Sequence, residues 1–225
     1  MVLQYLALLE KKRIVLASAS PRRREILGRL GLNNVEVFVS SFAEDLPKAN
    51  FTCGGDYALR TARQKAECVV HQLQQNGSGS GGTPSFDILI AADTIVTLPA
   101  ADGGVDIIEK PLSGEEAAQM LRSFSGRRHD VWSGVVLAVR DGETLRWREF
   151  KTRTVVEFAP LEEAEIAAYV SDSSNWIGKA GGYGIQDKAA CLVTSIEGDY
   201  YNVMGLPLQA LCVEIDRLIQ EDIVR

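Results

Sequence analysis

The chain has little with which to hold a metal through nitrogen or sulfur: two histidines, His71 and His129, and four cysteines in 225 residues. Cys53, Cys68, Cys191 and Cys212 are scattered without a C-x-x-C pair, which argues against a zinc site or a disulfide framework and leaves free buried thiols as the expectation. Any metal must then rest on carboxylates and on substrate phosphates, which suits Mg2+ or Mn2+. No apolar run approaches the ~20 residues of a membrane span. The apolar start from Met1 to Leu9 has no basic segment before it and runs into Glu10-Lys11-Lys12-Arg13 without a small-residue cleavage pattern. It reads as a short structural helix or extension, and the chain as cytoplasmic. Positive charge is also scarce. With 24 Lys and Arg against 30 Asp and Glu, the net charge of −6 argues against general binding to nucleic acid or to anionic membranes. An anionic ligand would have to be met locally, which makes the few basic clusters informative.

What is present is enough for a substantial core: 46% of the residues are hydrophobic, consistent with one domain spanning residues 1–225. Arg13 to Ala17 reads as a buried strand, and Pro21 to Leu30 as a helix closed by Gly31. Val35 to Val39 alternates like a second strand. A long helix is expected from Asp56 to Gln75, with Ala58, Ala62, Ala66, Val69 and Leu73 on its inner face. It gives way to a flexible glycine- and serine-rich loop insertion, residues 76–86, before a strand from Asp87 to Ala91. Ser113 and Glu116 have capping-box spacing at the head of a helix that runs to Phe124. Val131 to Val139 and Thr144 to Phe158 form a hairpin around Asp141-Gly142. A helix from Glu162 to Val170, a strand from Cys191 to Ile196 and a helix from Leu208 to Gln220 complete a mixed α/β fold.

Four segments carry possible chemistry. In Ser18-Ala19-Ser20-Pro21-Arg22-Arg23-Arg24, Ser20 and Pro21 suit a helix start, yet three arginines crowd a first turn whose dipole favours acids. Either an anion held by the helix amides and the arginines relieves this, or the arginines form a solvated patch tied to acids elsewhere. Asp93 follows the apolar run Ile88-Leu89-Ile90 and is expected near a strand end, as a metal ligand or general base, or else as a turn cap. Lys65 and Glu109-Lys110-Pro111 supply further charge, at a site or on the surface. The run Lys179-Ala180-Gly181-Gly182-Tyr183-Gly184-Ile185-Gln186 suits close backbone approach to a ligand, or a hairpin loop. It matches neither the Rossmann fingerprint nor a Walker A loop.

Together these segments resemble the Maf family of septum formation inhibitor-like proteins, from about Ile14 to Leu211. The resemblance is carried by the Ser18 to Arg23 segment, Lys65-Ala66, Ala91-Ala92-Asp93-Thr94, Glu109-Lys110-Pro111, Gly126 with His129 and Ser133, the Lys179 to Gln186 loop, and Gly205-Leu206-Pro207. It implies an elongated mixed sheet flanked by helices in two packed lobes, Maf/ITPase-like, with the active-site cleft between them. It also implies cleavage of a nucleoside triphosphate to the monophosphate and pyrophosphate with a divalent metal, Mg2+ or Mn2+. Asp93 falls on the family's general base, with Glu44 and Asp93 as metal ligands. Ser18, Arg23, Lys65, Lys110 and Lys179 form the set expected to bind substrate and its phosphates. Arg22, Thr94 and Gln186 fall on the positions linked to substrate choice and look like the branch acting on dTTP and UTP. A pyrophosphatase for another nucleotide such as 7-methyl-GTP, or a non-catalytic nucleotide-binding regulator of cell division, stands as the alternative. The resemblance also admits a homodimer. Asp187 departs from the pattern, which commonly has glycine after the loop's glutamine.

Overall fold

A computed structural model describes residues 1–76, 86–101 and 103–225; most of the expected 76–86 insertion lies outside them. Seven strands run in chain order as β1 (Ile14–Ala17), β2 (Glu36–Val37), β3 (Ile88–Pro99), β4 (Val105–Ile108), β5 (Arg128–Asp141), β6 (Thr144–Phe158) and β7 (Val193–Glu197). Seven helices accompany them: α1 (Leu6–Leu9), α2 (Pro21–Arg29), α3 (Gly54–Asn76), α4 (Gly114–Phe124), α5 (Glu163–Val170), α6 (Tyr200–Met204) and α7 (Leu208–Gln220). All strands belong to one mixed sheet of order β2-β1-β3-β5-β6-β7, with β4 also paired to β3. The β1–β2 and β1–β3 ladders are parallel and the rest antiparallel.

The edge of β3 opposite β5 positions everything that follows. Its first part, Ile88 to Ala91, pairs with β1, and its last part, Val96 to Pro99, pairs with β4. Among the described residues, Ala92 to Ile95 therefore have no strand on that edge, while on the other edge β5 accompanies β3 from Ile88 to Thr97. Because side chains alternate between faces, residues 88, 90 and 92 pack with α2 and α7, and residues 96 and 98 with α4. On the opposite face, residues 89 and 91 pack with the middle of α3, and Ile95 with Tyr57, Ala58 and Ile107. Thr94 and Asp93 lie where these apolar clusters meet, one on each face.

Helix α3 has the inner face that its spacing predicts: Ala58, Ala62, Ala66, Val69 and Leu73 are all buried. It lies close to the sheet because Gly134 of β5 has no side chain; a Cβ there would come 2.2 Å from Leu59 N and 2.5 Å from the Ala58 carbonyl carbon. This close approach brings Lys65, nearly two turns further on, against β3.

Several expectations need correction. Asp93 is not near a strand end but in the middle of β3, because β3 continues past the point where β1 stops and turns into the unforeseen β4. The second strand shrinks to two exposed residues, having β1 on one side and, among the described residues, no further strand beyond it. The last strand begins at Val193, since Cys191 closes a short 3-10 turn. The cysteines are free but none is buried; Cys68 and Cys212 lie on helices whose inner faces are filled by alanine, valine, leucine and isoleucine.

Substitution of Gly134 by alanine forces its methyl group into the α3 backbone. We expect Gly134→Ala to cost about 3 kcal/mol, measured by urea unfolding, and an unchanged midpoint would refute the close packing.

Candidate active site

At the start of α2 the arginines divide by burial. Arg24 is exposed and Arg22 half-buried, whereas Arg23 is buried. Arg23 Nε donates to Gly205 O at 2.8 Å, its Nη1 to Ser18 Oγ at 2.7 Å and its Nη2 to Thr94 Oγ1 at 3.1 Å. All three partners are neutral, and among the described residues no carboxylate forms an ion pair with it. Burial pushes the guanidinium pKa down, against the longer-range pull of Asp93 and Glu44, yet arginine stays charged in proteins. A buried cation matched only by neutral acceptors is unfavourable until an anion arrives. That excludes a solvated patch for Arg23 and leaves the anion reading. The expected serine cap does not form: Ser20 stands at the N-cap position with no side-chain bond there, and its N–H donates to Ser18 Oγ at 3.2 Å instead. Ser18 thus faces the arginine from the end of β1.

Thr94 is the far anchor of this cluster. Its hydroxyl also meets Ser133 Oγ at 2.8 Å and Gly205 O at 3.2 Å. The α6 turn is held beneath by Asn202, whose amide donates to Val131 O and Thr154 Oγ1.

On the other face, Lys65 reaches from α3 to two carboxylates. Its Nζ lies 2.7 Å from Asp93 Oδ1 and 2.6 Å from Glu44 Oε2, with Lys65 and Asp93 each 7% exposed. Lys110, half exposed, stands 3.7 Å from the same Glu44 oxygen. Asp93 Oδ2 and Glu44 Oε1 accept no hydrogen bond from the protein among the described residues. Glu44 has φ of 54°, a left-handed conformation costing a non-glycine residue about 1 kcal/mol. Such strain is characteristic of functional positions.

The two groups border one cleft of about 270 Å³, lined among others by Ser18, Arg23, Glu44, Lys65, Thr94 and Gln186. Asp93 lines an adjoining recess of about 190 Å³ with Glu44, Glu109 and Lys110. The far wall is the loop from Gly178 to Gln186. Arg22 Nη2 donates to Gly178 O at 2.9 Å, and Lys179 Nζ pairs with Asp187 Oδ2 at 2.6 Å. Every site residue expected from the sequence therefore borders this cleft or its recess.

Glu109 is an acid that the sequence reading left without a role. It accepts from Tyr57 Oη at 2.8 Å and pairs with Lys48 at 2.7 Å, and its carbonyl holds Gly181 N at 2.9 Å. Its neighbour Lys110 was the only signal, because Tyr57 and Lys48 come from distant parts of the chain. His129 is a strut: its Nε2 meets Tyr183 Oη at 2.8 Å inside a cage with Phe124 and Phe158. Burial pushes it down to about 3, so it is neutral at ordinary pH.

Burial alone would raise the Glu44 carboxyl, but attraction and a hydrogen bond from Lys65, then Lys110 and Arg23, leave it below its ordinary 4.5. A carboxyl lowered on folding stabilises the fold above its unfolded value, and that contribution is lost as pH falls through its folded value. Lys65→Met should therefore cost about 3 kcal/mol at neutral pH, chiefly by leaving buried Asp93 unpaired. The cost should shrink well below the unfolded value of 4.5, where a proton on Glu44 removes charge that Lys65 balances. Urea unfolding of both proteins across this range measures it, and a pH-independent cost would refute the pairing.

The chain is similar over 211 residues, at 43% identity, to a human protein named probable bifunctional dTTP/UTP pyrophosphatase/methyltransferase protein; the match covers 92% of this chain but 32% of that protein. The chain thus spans about a third of that relative. Proteins named dTTP/UTP pyrophosphatase from Sphingopyxis alaskensis and Bacillus cereus are each 38% identical, over 87% and 91% of this chain and 90% and 89% of their own lengths. The pattern of the family described as Maf-like protein matches residues 13–218, a span that holds Ser18, Arg23, Lys65, Asp93 and the Gly178 to Gln186 wall, and the chain belongs to that family.

Proposed function

We propose that the chain hydrolyses the α–β anhydride of nucleoside triphosphates, giving the monophosphate and pyrophosphate, with dTTP and UTP as its substrates. The observation that carries this reading is the juxtaposition of buried Arg23, which has no acidic partner among the described residues, with the Glu44–Lys65–Asp93 cluster across the gap in β3. One group supplies unspent positive charge for a phosphate chain, and the other supplies a carboxylate for activating water. The names of relatives 38–43% identical support both the reaction and the pyrimidine preference.

In this reading Ser18 and Arg23 grip the phosphates with the free amides at the head of α2. Lys110 joins them from the mouth, and Lys179 from the far wall. Lys65 holds Asp93 by Oδ1, which leaves Oδ2 to accept the proton of an attacking water. As the water oxygen bonds to phosphorus, the anhydride bond breaks and its electron pair leaves with pyrophosphate. Arg22, Thr94 and Gln186 border the part of the cleft assigned to the base.

The donor set also fits a hard divalent ion. Glu44 and Asp93 each retain a carboxylate oxygen, and among the described residues no group of three or more His, Cys, Asp or Glu could hold a metal. Two carboxylates completed by water and phosphate suit Mg2+ or Mn2+. When bound, such an ion neutralises phosphate charge.

A panel of triphosphates assayed for pyrophosphate release, with Mg2+ and with Mn2+, tests the reading; UTP and dTTP should be cleaved fastest. Faster cleavage of 7-methyl-GTP would move the chain to a different substrate class. UTP binding without pyrophosphate release would make it a nucleotide-binding regulator. Asp93→Asn should fold and lose roughly 10²- to 10⁴-fold in rate, as loss of a general base does.

A further inference from the structure

The far wall of the cleft ends in an acid, Asp187, that the reading above does not use. Its Oδ2 accepts two hydrogen bonds, from buried Lys179 Nζ at 2.6 Å and from Gln186 Nε2 at 2.9 Å. These three groups pack onto Gly184, where a Cβ would come 2.7 Å from Asp187 Oδ2 and 3.1 Å from both Gln186 Nε2 and Lys179 Nζ. Asp187 stands at the head of the 3-10 turn Lys188–Cys191 but makes no capping bond there. Its carboxylate is turned towards Lys179 and Gln186 instead.

The consequence falls on Gln186, which lines the cleft. A side-chain amide can offer N–H groups or its oxygen in a given direction by a half-turn about its last bond. Beside a carboxylate only the N–H orientation is attractive, so Asp187 takes Nε2 and leaves Oε1 over. That oxygen is buried and has no hydrogen-bond partner among the described residues, which leaves its accepting capacity to a water or to a donor on a ligand.

We propose, resting on the pyrimidine triphosphate reading, that Asp187 is a positioning residue that sets base preference by locking the Gln186 amide as an acceptor. Uracil and thymine carry one donor on their pairing edge, the ring N3–H, whereas the same ring atom of cytosine is an acceptor. A locked amide distinguishes the two. An amide free to turn serves both. A role through charge alone is different: Asp187 also attracts Arg22, and loss of that balance would act on every triphosphate alike.

The test is kcat/KM for UTP and for CTP with the wild type, Asp187→Ala, Gln186→Ala and the double variant. The wild type should prefer UTP. Asp187→Ala should lower the UTP-to-CTP ratio about tenfold, the scale of one hydrogen bond, with KM for UTP rising more than kcat falls. The double variant should match Gln186→Ala alone, because Asp187 acts through Gln186. Equal losses for both nucleotides, or additive effects on the ratio, would overturn the proposal. If Asp187→Ala does not unfold cooperatively, Asp187→Asn replaces it, since asparagine can present its own N–H2 to Gln186 and let that amide turn. The ratio should fall there too, and an unchanged ratio would overturn the proposal. The two readings fail visibly apart. A wild type that releases no pyrophosphate from UTP removes the base reading itself, whereas an active, selective wild type with an unaltered Asp187→Ala ratio removes the role of Asp187 alone.

Discussion

A lysine ammonium lying between two carboxylates is the constraint on which this molecule is organised. Desolvating Lys65 and Asp93 is costly, and their mutual attraction offsets that cost only with close geometry. The geometry is set by backbone: α3 lies directly on β5 at Gly134, and β3 has an unpaired interval at Asp93. Either feature alone would leave one charge buried without its partner. The sheet supplies the carboxylate at a break in its own pairing, and the helix supplies the cation from an otherwise apolar face.

The same interval explains why two kinds of chemistry meet there. Successive residues of a strand point to opposite faces, so Asp93 joins Lys65 and Glu44 while Thr94 joins Arg23 and Ser133. Elsewhere in the sheet a neighbouring strand would separate the two groups. Along Ala92 to Ile95 nothing does, and one ligand can touch both. With Lys110 at 3.7 Å from Glu44, the first group carries balanced charge and the second an unbalanced cation, a division suited to activating water on one side and holding an anion on the other.

Much of this was legible in the sequence, and the limits have physical causes. The helical spacing of Ala58, Ala62, Ala66, Val69 and Leu73 located α3 to within two residues at its start and one at its end, because a buried face imposes its period on the chain. The arginines against the helix dipole marked the segment for its chemistry, though only burial could say that Arg23 was the one without a counter-charge. Asp93 was found by its apolar run, but its place in mid-strand was hidden, because where a strand ends depends on pairing with distant segments. The short β4 and α6 gave no periodic signal. Glu109 was passed over because Lys48 and Tyr57, which hold it, come from separate elements. The serine cap also failed: Ser20 takes the cap position but its side chain makes no bond there, and residue type alone does not fix a side chain's rotamer.

The ladder between β3 and β5 runs without interruption past the gap on the opposite edge, from Ile88 to Thr97. It acts as a spine shared by both halves of the sheet. Swinging those halves apart about the cleft would break consecutive backbone hydrogen bonds, which opposes a hinge of the two-domain kind. The walls of the cleft, the stretch around Glu44 and the loop from Gly178 to Gln186, carry no such ladder. The laddered floor keeps Asp93 in fixed register with the helix that bears Lys65.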